Sequence, residues 1–415
     1  MARRLPRLRS NLDLMPSPVA DRPGVMIRDP FRYSDATLII PPPLVECLPL
    51  FDGERTELDL RAALVAITGD LRVGDLVEHL VRTLSEAGFL EDEVYAEMER
   101  RRHRAFQEAS VREAAHAGSA YPAEPELLRA TLARCLDGAV PWREPALGVA
   151  APHVSPEGGW QCYRDAYACL DPAARDVTFL VLGTSHFGLP DRFGLTRKPY
   201  RTPLGQTTPC PELTDWLAER APEAVTVEDY CHAVEHSIEF QVLFLQHRYG
   251  PDVRVLPILC GSFHCAGGLL PEQNAAVARF LEALRELAER EGERLRWVLG
   301  VDLAHMGRRY GDRFAARARQ GRMRAVEEED RRRLERVEAG DAEGFWRLVK
   351  GEQDGLKWCG ASALYAFLRA VPQVRGQVLR YEQWNIDEQS VVSFAAVVFT
   401  RPRGDQFPEG CAAIQ

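Results

Sequence analysis

From about residue 113 onward the chain alternates between continuous apolar runs and amphipathic stretches. ALGVAAPHV, VTFLVLGTSH, VRVLPILCG and WVLGVDLAH contain almost no polar alternation. A strand that is apolar at successive positions is buried on both faces, as in a parallel sheet covered by helices. The intervening spacing predicts helices over 160–170, near 211–220, and over 236–249, 272–291 and 360–370, with a long charged helical region over 312–350. QVLRYEQW and SVVSFAAVVF predict two closing strands. The predicted fold class is α/β, with a mixed, largely parallel sheet covered by helices.

The first part of the chain has a different pattern. Residues 1–24 are rich in Arg and Pro and read as a flexible arm. VMIRDPF and ATLIIPP predict two short strands, and LVECLPLFDGERTELDLRAALVAITGDLRVGDLVEHLVRTLSEAGFLED predicts three helices broken at Asp52-Gly53 and Thr68-Gly69-Asp70. Thr56 followed by Asp59 marks a helix start, and Leu76, Val77, Leu80, Val81 and Leu84 lie at helical spacing. The expected organisation is a small winged-helix module over 25–92, a charged linker helix over 93–112, a large domain over 113–402 and a tail over 403–415.

Composition narrows the function classes. The chain has 415 residues, 46% hydrophobic and 27% charged, with a net charge of −9. That balance argues against general nucleic-acid binding, which needs a basic surface. The basic opening MARRLPRLRS lacks the apolar core of a secretory signal, and no run approaches the ~20 apolar residues of a membrane span. A cytoplasmic protein is expected. The ten cysteines form no CxxC pair and are expected to be mostly reduced core thiols. No GxGxxG follows a strand and no GxxxxGK[ST] occurs.

Three apolar strands end on chemistry-bearing side chains. ALGVAAPH ends at His153, VTFLVLGTSH at His186, and WVLGVDLAH at Asp302 and His305. In open α/β sheets, ligands bind beyond the carboxyl ends of the strands. Strands distant in sequence can therefore bring these groups together, and imidazole is the commonest metal ligand. Cys359 precedes Gly360 and an apolar helix, a position that favours thiolate, which is both a nucleophile and a soft metal ligand. A buried inert thiol is the plainer alternative. CHAVEHSIEFQ holds His232, Glu235, His236 and Glu239. His232 and His236 could share a helix face, but HAVEH is not HExxH, so the metalloprotease pattern fails. Orienting ligands or substrate, together with Ser185, is the expected role there.

Two resemblances follow from these motifs. Leu50, Phe51, Asp52, Gly53, Thr56, Leu60, Gly88 and Leu90 match the pattern of the PqqD-like family over roughly residues 25–92. That likeness implies a winged-helix module that binds peptide by strand addition; a docking or dimerisation module is the alternative. The larger domain resembles the Memo family, also called AmmeMemoRadiSam system protein B. The likeness is carried by AGSAYP at 117–122, PH at 152–153, LGTSH at 182–186, TPLG at 202–205 and HAVEHSIEFQVLFLQ at 232–246. VLPILCG at 255–261, DLAHMG at 302–307, CG at 359–360 and YEQ…SVVSFAA at 381–396 complete it. Such proteins are similar in fold to class III extradiol dioxygenases. The resemblance implies a mononuclear non-haem iron or copper site on His153, His186 and Cys359, with Asp302 and His305 as a neighbouring acid/base pair. It also implies radical-SAM and AMMECR-type pathway partners. PHVSPEGGW departs from the family pattern, so Glu157 and Trp160 are expected to reshape the pocket mouth, and the fused N-terminal module is unusual for the family.

Three functions are compatible with these residues. The first is a redox-active metal protein with dioxygenase or oxidoreductase activity on a small molecule or peptide. The second is a non-catalytic peptide-binding adaptor or metal carrier. The third is a hydrolase using zinc or a Cys359, His305 and Asp302 trio.

Overall fold

The computed structural model describes residues 3–19, 21–264, 269–350 and 355–401; the expected tail over 403–415 lies outside them. The chain divides into two compact units, Met1–Ala109 and Ser110–Gln415.

The first unit is a three-stranded antiparallel sheet, β1 (Asp13–Pro16), β2 (Val25–Arg28) and β3 (Thr37–Ile40), followed by helices α1 (Pro42–Val45), α2 (Glu57–Thr68), α3 (Gly74–Glu86) and α4 (Glu93–Glu108). At the start of α2 the Asp59 carboxylate accepts from the Thr56 amide at 2.8 Å and hydroxyl at 2.7 Å. Gly69 ends the helix at φ 72°, a left-handed conformation suited to glycine. The apolar faces of α2 and α3 close over Leu5, Ile27, Phe51 and Phe89.

The arm expected over 1–24 is instead built into this unit. Leu5 and Leu12 are buried, β1 pairs with β2, and Arg4 and Leu8 bridge to Thr56 and Leu90. Arg9 forms a bidentate pair with Asp29 at 2.9 and 3.0 Å and also donates to the Gly88 carbonyl. Arg- and Pro-rich composition concealed the anchoring leucines and an ion-pair partner twenty residues away. The expected linker over 93–112 is also revised. Helix α4 ends at Glu108, buries Phe106 and ties Arg102 to Asp35 at 2.6 Å, so it is a packed member of the first unit.

The second unit contains α5 (Pro125–Leu136), β4 (Gly148–Ala151), α6 (Pro156–Tyr167), β5 (Thr178–Thr184), β6 (Phe193–Leu195), β7 (Arg201–Thr202), β8 (Gly205–Gln206) and β9 (Thr208–Pro209). It continues with α7 (Pro211–Arg220), β10 (Val225–Val227), α8 (Cys231–Val234), α9 (Glu239–Tyr249), β11 (Arg254–Cys260), α10 (Ala275–Glu291), β12 (Leu295–Gly300) and β13 (His305–Gly307). Helices α11 (Arg322–Glu338), α12 (Ala342–Lys350) and α13 (Ala361–Ala370) and strands β14 (Arg375–Asp387) and β15 (Ser390–Thr400) complete it. The charged region over 312–350 is thus helical only from Arg322, as two helices separated at Gly340, where φ is 69°.

The main sheet runs β10-β6-β11-β5-β12-β4-β15-β13, with β14 on β15 and β9 on β11. Its centre, β11-β5-β12-β4, is parallel, and β15 joins β4 antiparallel. Successive strand residues feed opposite cores: Leu180, Leu182, Trp297 and Leu299 face one, and Phe179, Val181 and Val298 face the other. Helices α7, α10, α12 and α13 pack into the first core, and α5, α6 and α9 into the second. This double covering explains the unbroken apolar strands. Among the described residues, no helix is long and apolar enough to cross a membrane.

Candidate metal centre

Strands β5, β12 and β4 are consecutive, parallel neighbours and end in register, with Gly300 opposite both Ala151 and Gly183. His153, Asp302 and His186 therefore leave the sheet side by side. Gly300 is also a close-approach position: a Cβ there would lie 2.2 Å from the Ser237 carbonyl oxygen. The segment before α9 thus rests directly on the strand ends and carries Glu235 and His236 with it. Gly360 has the same role for the thiol loop, because a Cβ there would meet Val301 at 2.5 Å and the Asp302 carbonyl at 2.8 Å.

The donor atoms of His153, His186 and Cys359 all lie within 4.8 Å of one another. Cys359 Sγ is 3.3 Å from His153 Nε2. His153 Nδ1 is 2.9 Å from the Gly300 carbonyl, so that nitrogen carries the proton in the neutral ring and Nε2 faces the sulfur. His186 Nδ1 lies 3.0 and 3.1 Å from the two oxygens of Glu235, which also accepts the His186 amide at 2.8 Å. The free Nε2 edge of His186 is left for the shared space. Two imidazoles held by their far nitrogens, with a soft sulfur between them, match the donor preferences of a transition metal.

Around this trio, Glu235 is buried and also takes the His236 amide at 2.8 Å and sits 3.0 Å from its Nδ1. The His236 ring stacks on His186 at 5.0 Å and meets His153 edge-on at 5.2 Å. His186, Glu235 and His236 themselves form a second group with metal-ligand spacing. Asp302 Oδ1 accepts the His153 amide at 2.8 Å, and Oδ2 lies 3.5 Å from His153 Nε2. His305 Nδ1 is 3.0 Å from the Leu303 carbonyl, and Tyr310 stands edge-on to its ring at 4.9 Å. Asp302 therefore holds His153, not His305, and the ordered Cys359–His305–Asp302 relay considered from sequence is not formed. Ser185 lines the adjoining cleft with a buried, unpaired hydroxyl.

The electrostatics follow from burial opposed by close partners. Burial pushes the Cys359 thiol up, but His153 and His305, with hydrogen bonds from His153 and His186, bring it well below its ordinary value. Burial disfavours charge on His153, yet Asp302 and Cys359 raise it to about 9. His186 is raised by Glu235 against burial, while burial lowers His236. Burial is likewise overcome at Glu235, which His186 and His236 hold well below the usual carboxylate range.

His232 belongs elsewhere. Helix α8 stops at Val234 and Glu235 turns extended at ψ 141°, so His232 and His236 do not share a helix face. Both ring nitrogens of His232 are occupied, Nδ1 by the Tyr200 hydroxyl at 2.7 Å and Nε2 by the Gly194 carbonyl at 3.0 Å. Arg112, assigned to the linker from sequence, is buried here and donates to the carbonyls of His232 and Glu235 at 2.7 Å each. It also pairs with Glu239, which accepts the amides of Ala115 and His116 at 3.0 Å each. Arg112 thus positions the segment bearing Glu235 and His236. Asp330, also unrecognised in the sequence, does the same for the thiol loop. It accepts from Trp358 Nε1 at 2.6 Å, the Tyr381 hydroxyl at 2.7 Å and the Ser393 hydroxyl at 2.6 Å. Glu157 and Trp160 line a separate groove beside α5 rather than the cleft at His186 and Cys359.

Residues 112–398 match the family described as Memo-like protein. A MEMO1 family protein of Aquifex aeolicus is 24% identical over 378 residues, covering 90% of this chain and 95% of that protein. Ninety per cent of the chain is more than the second unit holds, so this match continues into the first unit. A MEMO1 family protein of Methanopyrus kandleri is 29% identical over 308 residues, covering 70% of this chain and 99% of that one. A crystal structure of an uncharacterized protein from Escherichia coli K12 is similar at a TM-score of 0.36 and 15% identity, over 57% of this chain and 91% of that one.

Proposed function

The chain belongs to the Memo-like family, and from that premise we propose that His153, His186 and Cys359 hold one redox-active iron or copper ion. The observation that carries this reading is the convergence of two imidazole nitrogens and one sulfur within 4.8 Å, with each ring also held through Nδ1. Such an ion would supply one-electron chemistry with dioxygen or a substrate oxygen at positions that three protein donors leave open. Dioxygenase or oxidoreductase activity is the function proposed for it.

The chain's own residues have distinct tasks in this reading. Glu235 and the Gly300 carbonyl orient the two imidazoles. Asp302 fixes the turn at His153. His305, anchored through Nδ1, is the group that holds or moves a proton beside Cys359. Softness of the thiolate favours copper(I) or an electron-transfer role over simple ring cleavage.

The test is elemental analysis of anaerobically purified protein, followed by oxygen uptake with a reductant. Native protein is expected to retain close to one iron or copper per chain, and His153→Ala, His186→Ala and Cys359→Ser are expected to lose it. Equal metal content in native and substituted proteins would remove the proposal. Bound metal without oxygen uptake would favour metal carriage.

The short Cys359–His153 contact supports one further reading, a thiol hydrolase, because a thiolate beside an imidazolium is an activated nucleophile. Iodoacetamide distinguishes the two: a metal ligand is protected by bound metal, whereas a free nucleophile is alkylated at the same rate with or without it.

A further inference from the structure

Beside His186 and Cys359 opens a cleft of about 230 Å³, bordered by Phe263, Trp346, Trp358, Lys350 and Ser362. Its volume lies below the ~300 Å³ usual for drug-sized ligands, so its occupant is small. Two walls are aromatic, with Phe263 and Trp346 packed edge-on at 5.6 Å. The indole N–H of Trp346 already donates to Leu269, and that of Trp358 to Asp330. These rings therefore offer faces rather than polar handles.

Away from the Cys359 and His186 donors and the hydroxyls of Thr184, Ser185 and Ser262, the polar handles of the cleft are hydrogen-bond donors. Helix α13 starts at Ala361, next to Cys359, and has no side-chain cap. The amides of Ser362 and Ala363 find no acceptor among the described residues. Ser362 is 5% exposed and lines the cleft, and its hydroxyl makes no hydrogen bond among the described residues. Lys350 lies above the Trp346 ring at 5.4 Å and forms no ion pair among them. Among the described residues, no carboxylate lines the cleft. Amides at a helix start, a buried hydroxyl and an ammonium, each without a partner among the described residues, together favour negative charge.

We propose that this cleft binds a small organic anion whose carboxylate or phosphate group docks on the first turn of α13, Ser362 and Lys350, with its apolar body against Phe263 and Trp346. The inference rests on the metal reading, since it gives the substrate class for the same site. Anchoring at Ser362 places the body of such a molecule next to the Cys359 and His186 donors.

The full chain is titrated calorimetrically with benzoate, phenyl phosphate and neutral benzamide, with metal content measured in the same preparations. At least one anion is expected to bind at least about tenfold more tightly than benzamide. Lys350→Met should weaken that anion by about tenfold and leave benzamide unchanged. Ser362→Ala should give a smaller loss in the same direction. A preference for benzoate assigns a carboxylate, and a preference for phenyl phosphate assigns a phosphate. The proposal is overturned if neither anion binds, if benzamide binds equally well, or if both substitutions leave anion affinity unchanged. Anion binding to protein that holds no metal would sink the metal reading alone. Metal retention without anion binding would sink this one alone.

Discussion

Each unit buries opposite charges, but in different ways. In the first unit four of the five guanidinium N–H groups and both carboxylate oxygens of the pair are engaged. Arg9 meets both oxygens of Asp29, the Gly88 carbonyl and Asn11, while Asp29 also accepts the amides of Phe31 and Ser34. In the second unit, two imidazole edges and a sulfur converge within 4.8 Å of one another. Burial and charge are common to both. The difference is unsaturation. A closed ion pair holds a fold together, whereas a buried cluster with donor capacity left over has room to take a guest.

The largest expected effect breaks the closed pair. Asp29→Ala leaves the Arg9 guanidinium buried without its partner, which should cost the first unit about 3–5 kcal/mol in denaturant unfolding. Metal content should be unchanged. A cost below ~1 kcal/mol would mean that this pair is no more structural than a surface bridge.

Asp330 sharpens the comparison, because the hydrogen bonds it accepts come from neutral donors, with the Arg333 charge nearby. Burial raises its carboxyl to about 6, from an ordinary 3.8. The folded value is above the unfolded one, so its contribution to stability is present below pH 3.8 and lost as pH rises through about 6. Relative to Asp330→Asn, which does not titrate, native stability should fall by up to ~3 kcal/mol between pH 4 and 7. Parallel pH curves for the two proteins would show that burial does not raise the Asp330 carboxyl.

Next in size is Glu235→Gln. Losing the carboxylate behind His186 and His236 should weaken metal affinity by about 10–100-fold while the fold survives. Titration of stripped protein with a competing chelator measures it. An unchanged affinity would show that Glu235 only closes the local turn.

What the sequence disclosed follows the same division. His153, His186 and Asp302 were legible because buried parallel strands stop abruptly at their carboxyl ends, and a polar side chain there has few structural reasons to exist. That β12 lies between β5 and β4 was not legible, since strand order is fixed by long-range packing. The i,i+4 spacing of His232 and His236 misled because Glu235 leaves the helix. Arg112 and Asp330 were invisible for another reason. The Arg112 partner Glu239 is 127 residues away, and Asp330 finds its donors 28, 51 and 63 residues away, so nothing local distinguishes either from a solvated charge. The arm was misread because composition says nothing about where Arg9 finds its carboxylate.

The smallest effect is also the most specific to the open cluster. In metal-free protein Cys359 is lowered and His153 raised, each against burial, so the folded pair holds its one proton on the imidazole. Taken singly, the raised His153 loses its stabilising share as pH climbs from 6.5 through about 9. The lowered Cys359 has its full share above pH 9.0 and loses it as pH falls. Between 6.5 and 9 the folded pair and the unfolded pair both bind one proton, so the two slopes cancel. The difference in unfolding free energy between native protein and the double variant Cys359→Ser/His153→Gln should therefore stay flat there and above, within about 0.5 kcal/mol, and fall only as pH drops below 6.5. In Cys359→Ser alone the imidazole still faces Asp302, so the difference from the double variant should decline as pH rises through the same window. A native curve with that same decline would mean that sulfur and imidazole do not share a proton, and the second unit would lose the feature that sets it apart from the first.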